Sequence, residues 1–263
     1  MAARNHIDLV VKTVRTLEIL AQATRPLSLK EIASQLGLVK SSAFRILYTL
    51  KEIGFVEQAE PGGAYRLTFL SVGLARRQAG HHSLIQIARP YLARLRMELD
   101  ESVWLAELRR GRVVLVDTAD SRHPLRLTYD LGDPCPLHAT ALGKSIAAFL
   151  SPAELQRCLG KGPLERFTAN TITSRVALKE ELEKVRQSGW AANREETVEG
   201  AIILGAPVFD AAEKVFAAIS VSVPTARCLP EKRKAIIAAV KSASQALSAE
   251  LKRTGFHTSA WQD

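Results

Sequence analysis

The sequence predicts an α+β chain in two parts: a small helical unit closed by a β-hairpin, then a larger unit of antiparallel strands flanked by helices. Three observations carry that prediction. Residues 27–68 read as a capped short helix, a Gly-marked turn, a second helix and two short strands around Pro61-Gly62-Gly63. From Leu84 onward, short strand-like runs alternate with helical stripes, ending in a long helix at 230–252. Between the two patterns, Gly80-His81-His82-Ser83 interrupts both periodicities.

Residues 7–23 are the first expected helix, with Val10, Val14, Leu17 and Leu20 or Ala21 inward. Ser28 followed by Glu31 is a capping box, so the next helix starts at Leu29 and buries Leu29, Ile32, Ala33 and Leu36. Gly37 suits the position just past its end, where a positive φ is needed. The following helix opens near Lys40 and buries Ala43, Ile46, Leu47 and Leu50. Its opposite face carries Lys40, Ser41, Ser42, Phe44, Arg45 and Tyr48. Gly54 stops it, and strands are expected at 55–58 and 64–68. Thr68 caps a further helix over about 69–80, with Leu70, Leu74 and Ala75 on one stripe.

In the second part, residues 84–99 form an amphipathic helix bent or started by Pro90. Strands are expected at 102–108, 112–117 and 125–129, and the loop DLGDPCPLHA leads to a helix at 140–150. Ser151-Pro152 starts another helix, and 176–188 is helical again. Strands at 190–193, 201–209 and 215–223 precede the last helix, and the tail from Thr254 is expected to be poorly ordered.

Composition narrows the functional class. The 263 residues suffice for two domains, and 47% hydrophobic content supports a buried core. The formal charge is +9, with residues 1–80 holding 11 Lys and Arg against 6 Asp and Glu. Positive charge is denser there than in the remainder, as a segment facing phosphates requires. No run reaches the roughly 18 apolar residues needed to span a bilayer, and Lys12, Arg15 and Glu18 break the apolar N-terminal stretch. Cys135, Cys158 and Cys228 are odd in number and far apart, so no disulfide framework is expected. A cytoplasmic protein without membrane contact is the expectation.

The layout of residues 27–68 is that of a winged helix-turn-helix, which sets one helix end in a DNA major groove. Ser41 and Ser42 can meet phosphates or base edges, Arg45 a phosphate or a guanine, and Phe44 a thymine methyl. A solvated helix face in a small helical domain is the plainer alternative.

Other chemistries fit less well. Gly143-Lys144-Ser145 lacks the first glycine of a phosphate loop, whose place is held by His138. Lys144 is expected to cover the helix surface or pair with a carboxylate. Cys135 and His138, with His123, supply too few ligands at short spacing for zinc, and Cys135–His138 lacks a third orienting group for nucleophilic catalysis. Glu195, Glu196 and Glu199 read as a solvated rim, and His81-His82 as exposed. Trp104 and Trp190 read as core, Trp104 also as a possible pocket wall. No catalytic group, metal or cofactor is assigned.

Taken together, LSLKEIASQLGLVKSSAFRILYTLKEIGFVE, GAYRLT, IARPYLARL, PLRLTYDLGDPCPLHATALGKSIAAFL, LERFTANTIT and GAPVFDAAEKVFAAISVSVPTARC, in this order, resemble the IclR family (isocitrate lyase regulator family) of bacterial transcription factors. The resemblance runs over nearly the whole chain. It implies a winged helix-turn-helix at 7–68, a linker helix at 69–81 that helps dimerise, and a GAF-like antiparallel α+β effector-binding domain at 82–253. It also implies a homodimer or dimer of dimers on double-stranded DNA with an inverted-repeat operator, with a small organic acid as effector. DNA contacts then fall on Lys40, Ser41, Ser42, Phe44 and Arg45, with Lys12 where members commonly have Arg, and Arg66 in the wing.

The same resemblance places the effector at Ala139, Thr140, Ala141 and Leu142, at Asn193, at Gly200, Ala201 and Ile203, and at Ser220 and Ser222, with Leu125 and Leu127 as an apolar wall. The physical logic is independent of it. Ser220 and Ser222 share one strand face, and Thr140 to Gly143 expose N–H groups suited to a carboxylate. Asn193 stands where some members have an acid, and Ile202-Ile203 where some have Arg-Cys, so this pocket end favours an aromatic or larger acid. The expected function is a ligand-responsive repressor or activator of a catabolic operon. Two alternatives stay open: a metabolite-binding protein or enzyme whose N-terminal module serves protein interaction, and a DNA-binding protein whose second domain only oligomerises.

Overall fold

The computed structural model describes residues 7–58, 60, 62–74 and 83–258, and the chain divides into two compact units, Met1–His82 and Ser83–Asp263. The first unit packs α1 (Asp8–Gln22), α2 (Leu29–Leu36) and α3 (Lys40–Glu52) against a hairpin of β1 (Val56–Gln58) and β2 (Tyr65–Leu67). Ser28 and Glu31 form the reciprocal capping box, and Arg25 with Ser28 pulls the Glu31 carboxyl down to about 2. Gly37 ends α2 at φ 64°, and the Leu38 N–H closes back on the Ala33 carbonyl at 2.9 Å, a Schellman-type stop. The core is Leu20, Leu27, Ile32, Ile46, Leu47, Leu50, Val56 and Tyr65.

One expectation for this unit fails. Val10 and Val14 are 55% and 49% exposed, and Thr16 is buried with Leu20 in their place. The Thr16 hydroxyl satisfies itself on the Lys12 carbonyl at 2.8 Å, which lets a polar residue take the inner face. Residues 69–74 are helical and Thr68 Oγ1 accepts from the Leu70 N–H at 3.2 Å. Leu70 and Leu74 are 41% and 48% exposed; Ala75 and the rest of the expected linker helix lie outside the described residues.

The second unit holds one five-stranded antiparallel sheet in the order β4-β3-β7-β6-β5. Its strands are β3 (Ser102–Arg109), β4 (Arg112–Ala119), β5 (Ala191–Arg194), β6 (Ala201–Phe209) and β7 (Val215–Pro224). One face carries α4 (Ser83–Leu99) and α8 (Pro230–Arg253), with Leu92, Val103, Leu105, Ile219, Val221, Ile236 and Val240 between them. The other face carries α5 (Ala141–Ala147), α6 (Pro152–Leu159) and α7 (Arg175–Ser188) over Trp104, Ala106, Ile203 and Ala218. Because strand side chains alternate, neighbouring residues of β3 serve opposite cores. Covered on both sides, β6 and β7 are apolar almost throughout. Among the described residues no helix is long and apolar enough to cross a membrane.

The expected strand at 125–129 is irregular. The free edge of β4 is already taken: Leu115 N–H donates to the Asp133 carbonyl at 3.0 Å and Cys135 N–H to the Val113 carbonyl at 2.8 Å. Residues 125–129 therefore find no ladder there, and Leu125 is 67% exposed. The tail also differs from expectation up to Thr258. Phe256 packs on Phe216 at 5.4 Å, and Thr258 Oγ1 donates to Asp210 at 2.9 Å.

Glu101, 1% exposed, anchors this unit's end by receiving Arg227 at 2.8 Å and Lys232 at 2.5 Å, while Arg227 also holds the Leu125 carbonyl. Burial pushes the Glu101 carboxyl up, but hydrogen bonds from Arg227 and Lys232 outweigh it and hold it below the ordinary glutamate value. A depressed carboxylate contributes stability above its unfolded value and loses it as pH falls through the folded one. Glu101→Gln should therefore lower stability by up to about 3 kcal/mol at neutral pH. Thermal unfolding across about pH 3 to 7 should show the gap to wild type closing at the acid end.

Candidate DNA interface and ligand cavity

The exposed tip of α3 is built by what its first turn lacks. Val39 occupies the N-cap with no side-chain cap, and no acidic residue stands in the first turn. Ser42 and Ala43 N–H groups reach the Val39 carbonyl, leaving those of Lys40 and Ser41 pointing off the helix end. A bare N-terminus on a 13-residue helix attracts anions through its dipole and its free donors. Lys40, Ser41, Ser42, Phe44 and Arg45 are all exposed there, and Phe44 meets Tyr48 at 6.1 Å. Among the described residues Lys40 and Arg45 have no ion pair, whereas Lys12 is held by Asp8 and Arg66 by Glu57 at 2.7 Å. The last two cations are thus partly neutralised within the chain.

The second unit contains a cavity of ≈ 430 Å³ on the α5 side of its sheet. Trp104 of β3, Leu115 of β4, Asn193 of β5 and Ile203 of β6 form its sheet wall, with Thr140, Ala141 and Leu142 at the start of α5. Thr197, Tyr129, Glu165, Phe167 and residues 133–136 complete it. Of the residues expected at an effector site, the structure brings together Thr140, Ala141, Leu142, Asn193 and Ile203. The others stand elsewhere. Leu125 is exposed, Leu127 packs on the adjoining core, and Ala139 and Ala201 are buried behind the wall. Gly200 is an exposed turn residue at φ 82°. Ser220 and Ser222 lie in the sheet, buried, with hydroxyls that have no hydrogen-bond partner among the described residues. Tyr129, Cys135 and Phe167 were not anticipated; only the Asp-Pro-Cys-Pro run next to the α5 start offered a local hint.

The α5 start is fixed by close packing. Thr140 caps it, accepting from Gly143 N–H and donating to the Pro136 carbonyl, each at 2.9 Å. A Cβ on Gly143 would lie 2.6 Å from both Leu137 Cα and the Pro136 oxygen, so only glycine fits. Gly205 of β6 likewise lets the Ala141 backbone approach the sheet. Gly143 and Lys144 N–H groups are used by Thr140, leaving Ala141 and Leu142 to present theirs at the wall.

One expectation about charge is met and one corrected here. Lys144 is fully buried and pairs with a carboxylate, the second of the two roles expected of it, whereas Glu196 is 4% exposed instead of forming a solvated rim. They pair with each other at 2.6 and 2.8 Å, while Glu181 stands 3.5 Å from the ammonium. Glu196 N–H donates to Asn193 Oδ1 and Asn193 Nδ2 to Thr197 Oγ1, each at 2.7 Å, so the pair ties α5 to the opposite cavity wall. Burial, then Asp133, pushes the Cys135 thiol up to about 12, which makes it a poor nucleophile or metal ligand at neutral pH. His138 is engaged with the Glu165 carbonyl at 2.8 Å and stacks on Phe167.

Comparison with known proteins agrees with this geometry. The family model "Bacterial transcriptional regulator IclR C-terminal" matches residues 77–249, and "IclR helix-turn-helix domain" matches residues 9–60. The transcriptional regulator KdgR of Escherichia coli (strain K12) is 30% identical over 251 residues, covering 95% of this chain and 94% of that protein. The glycerol operon regulatory protein of Streptomyces griseus is 34% identical over 251 residues, covering 95% and 98%. The crystal structure of Thermotoga maritima IclR aligns with a TM-score of 0.78 at 27% identity, over 94% of this chain and all of that one. With both units matched, the chain belongs to the IclR family: it is a transcriptional regulator with an N-terminal helix-turn-helix and a C-terminal effector domain, not an enzyme.

Proposed function

We propose that the chain regulates a catabolic operon by binding an inverted-repeat operator as a dimer or dimer of dimers, with a small ring-bearing organic acid as effector. In this reading residues 7–68 hold the DNA, 69–81 link, and 82–253 take the effector. The observation that carries it is the pairing of two features in separate units. One is the bare, cationic end of α3; the other is an aromatic-lined cavity of ≈ 430 Å³. That volume lies within the range of small-molecule sites, roughly 300–1,000 Å³. Trp104, Tyr129 and Phe167 suit a ring, and the Ala141 and Leu142 N–H groups suit its carboxylate. Lys40, Ser41, Ser42, Phe44 and Arg45 are the residues proposed to meet DNA. Lys12 and Arg66 would first have to leave their acidic partners.

Arg45→Ala tests the division of labour. It should weaken duplex binding by roughly 1–3 kcal/mol and lower the salt dependence, each phosphate contact contributing a slope of about −0.9. Effector-induced thermal stabilisation should be unchanged. Loss of both activities together would contradict separable roles.

A further inference from the structure

We infer that Trp104 is a specificity-determining residue of the effector cavity, its indole N–H donating to an acceptor atom of the bound ligand. The inference rests on the proposed effector site and narrows what that site takes. Trp104 lines the cavity from β3 and is 2% exposed, yet its Nε1 is buried with no hydrogen-bond partner among the described residues. Ser220 and Ser222 share that condition, and the register sets them beside it. Ser220 stands directly across from Trp104, and Ser222 directly across from Ile203, another wall residue. Directly opposed residues of an antiparallel pair project from the same face, so all three polar atoms belong to the sheet face under the cavity.

A buried donor left unpaired is costly, and one on a residue that lines a cavity is explained by a ligand that supplies the missing partner. Among the described residues the wall carries no Lys, Arg or His side chain; its ionisable groups include Asp133 and Glu165. The acceptor end of a ligand is therefore met by neutral donors, the Ala141 and Leu142 N–H groups and the indole N–H, and only the last is a side chain that substitution can remove. Tyr129 stands edge-on to that indole, ring centroids 4.9 Å apart, on a stretch without strand pairing. The class that fits is a flat ring bearing a carboxylate or carbonyl at its inner end.

The test compares benzoate with toluene, the same ring without the acceptor, by calorimetry on the full-length wild type and Trp104→Phe. Wild type should prefer benzoate, and Trp104→Phe should shrink that preference about tenfold, the value of one lost hydrogen bond. Trp104→His, which restores an N–H donor, should recover part of it. Equal weakening of both probes would make Trp104 mere packing and overturn the inference while leaving the effector site standing. Wild type binding neither probe would overturn the site reading as well.

Discussion

Lys144→Met should destabilise the second unit by about 3–5 kcal/mol, because it strands the Glu196 carboxylate in a site that excludes water. For a unit of this size that corresponds to a fall in melting temperature on the order of 10 °C. The double variant Lys144→Met/Glu196→Leu should recover most of the loss, since a buried ion pair replaced by apolar side chains is often neutral or better. Such recovery would separate the penalty of an orphaned charge from the worth of the pair itself. The double variant should still bind its effector more weakly. It lacks the Lys144–Glu196 ion pair that bridges α5 and the 193–197 wall. A single variant within about 1 kcal/mol of wild type would show that the pair is not sealed from water.

Gly143→Ala should be as damaging by a different route. Its Cβ would meet main-chain atoms of Leu137 and Pro136 at 2.6 Å, and backbone cannot turn away as a long side chain can. The expected cost is roughly 3 kcal/mol, at the upper end for overpacking, and effector affinity should fall because the α5 start is displaced. Gly162→Ala, where a Cβ meets nothing within 4 Å, is the control and should be close to neutral. Urea unfolding of both variants decides it; a Gly143→Ala protein as stable as the control would mean the Pro136–Gly143 turn yields readily.

Signals confined to a few consecutive residues were legible in the sequence. The Ser28–Glu31 box, Gly37 and the Ala43–Leu50 stripe appear as read, because each is decided by neighbours within two turns. The face of α1 was misread, since Val10 and Val14 have the right period but Thr16 can bury itself on its own helix. The 125–129 run has strand composition, but a strand needs an edge, and residues 132–135 already hold that of β4. At the cavity, Thr140–Leu142 announce themselves as a capped helix start, whereas Phe167 reaches the wall from a loop with no periodicity to give it away. A carboxylate partner was one of the two roles read for Lys144, but which carboxylate was not legible, because Glu196 is 52 residues away. No spacing rule connects them; only the fold does.

The central claim is that a ligand in the second unit's cavity alters how the α3 tip holds DNA. The most direct test is fluorescence anisotropy on a duplex selected from a random pool by the protein itself, titrated with and without a saturating aromatic acid that raises its melting temperature. The expected result is a several-fold change in duplex affinity on adding the acid. An unchanged affinity, with the acid demonstrably bound, would contradict it.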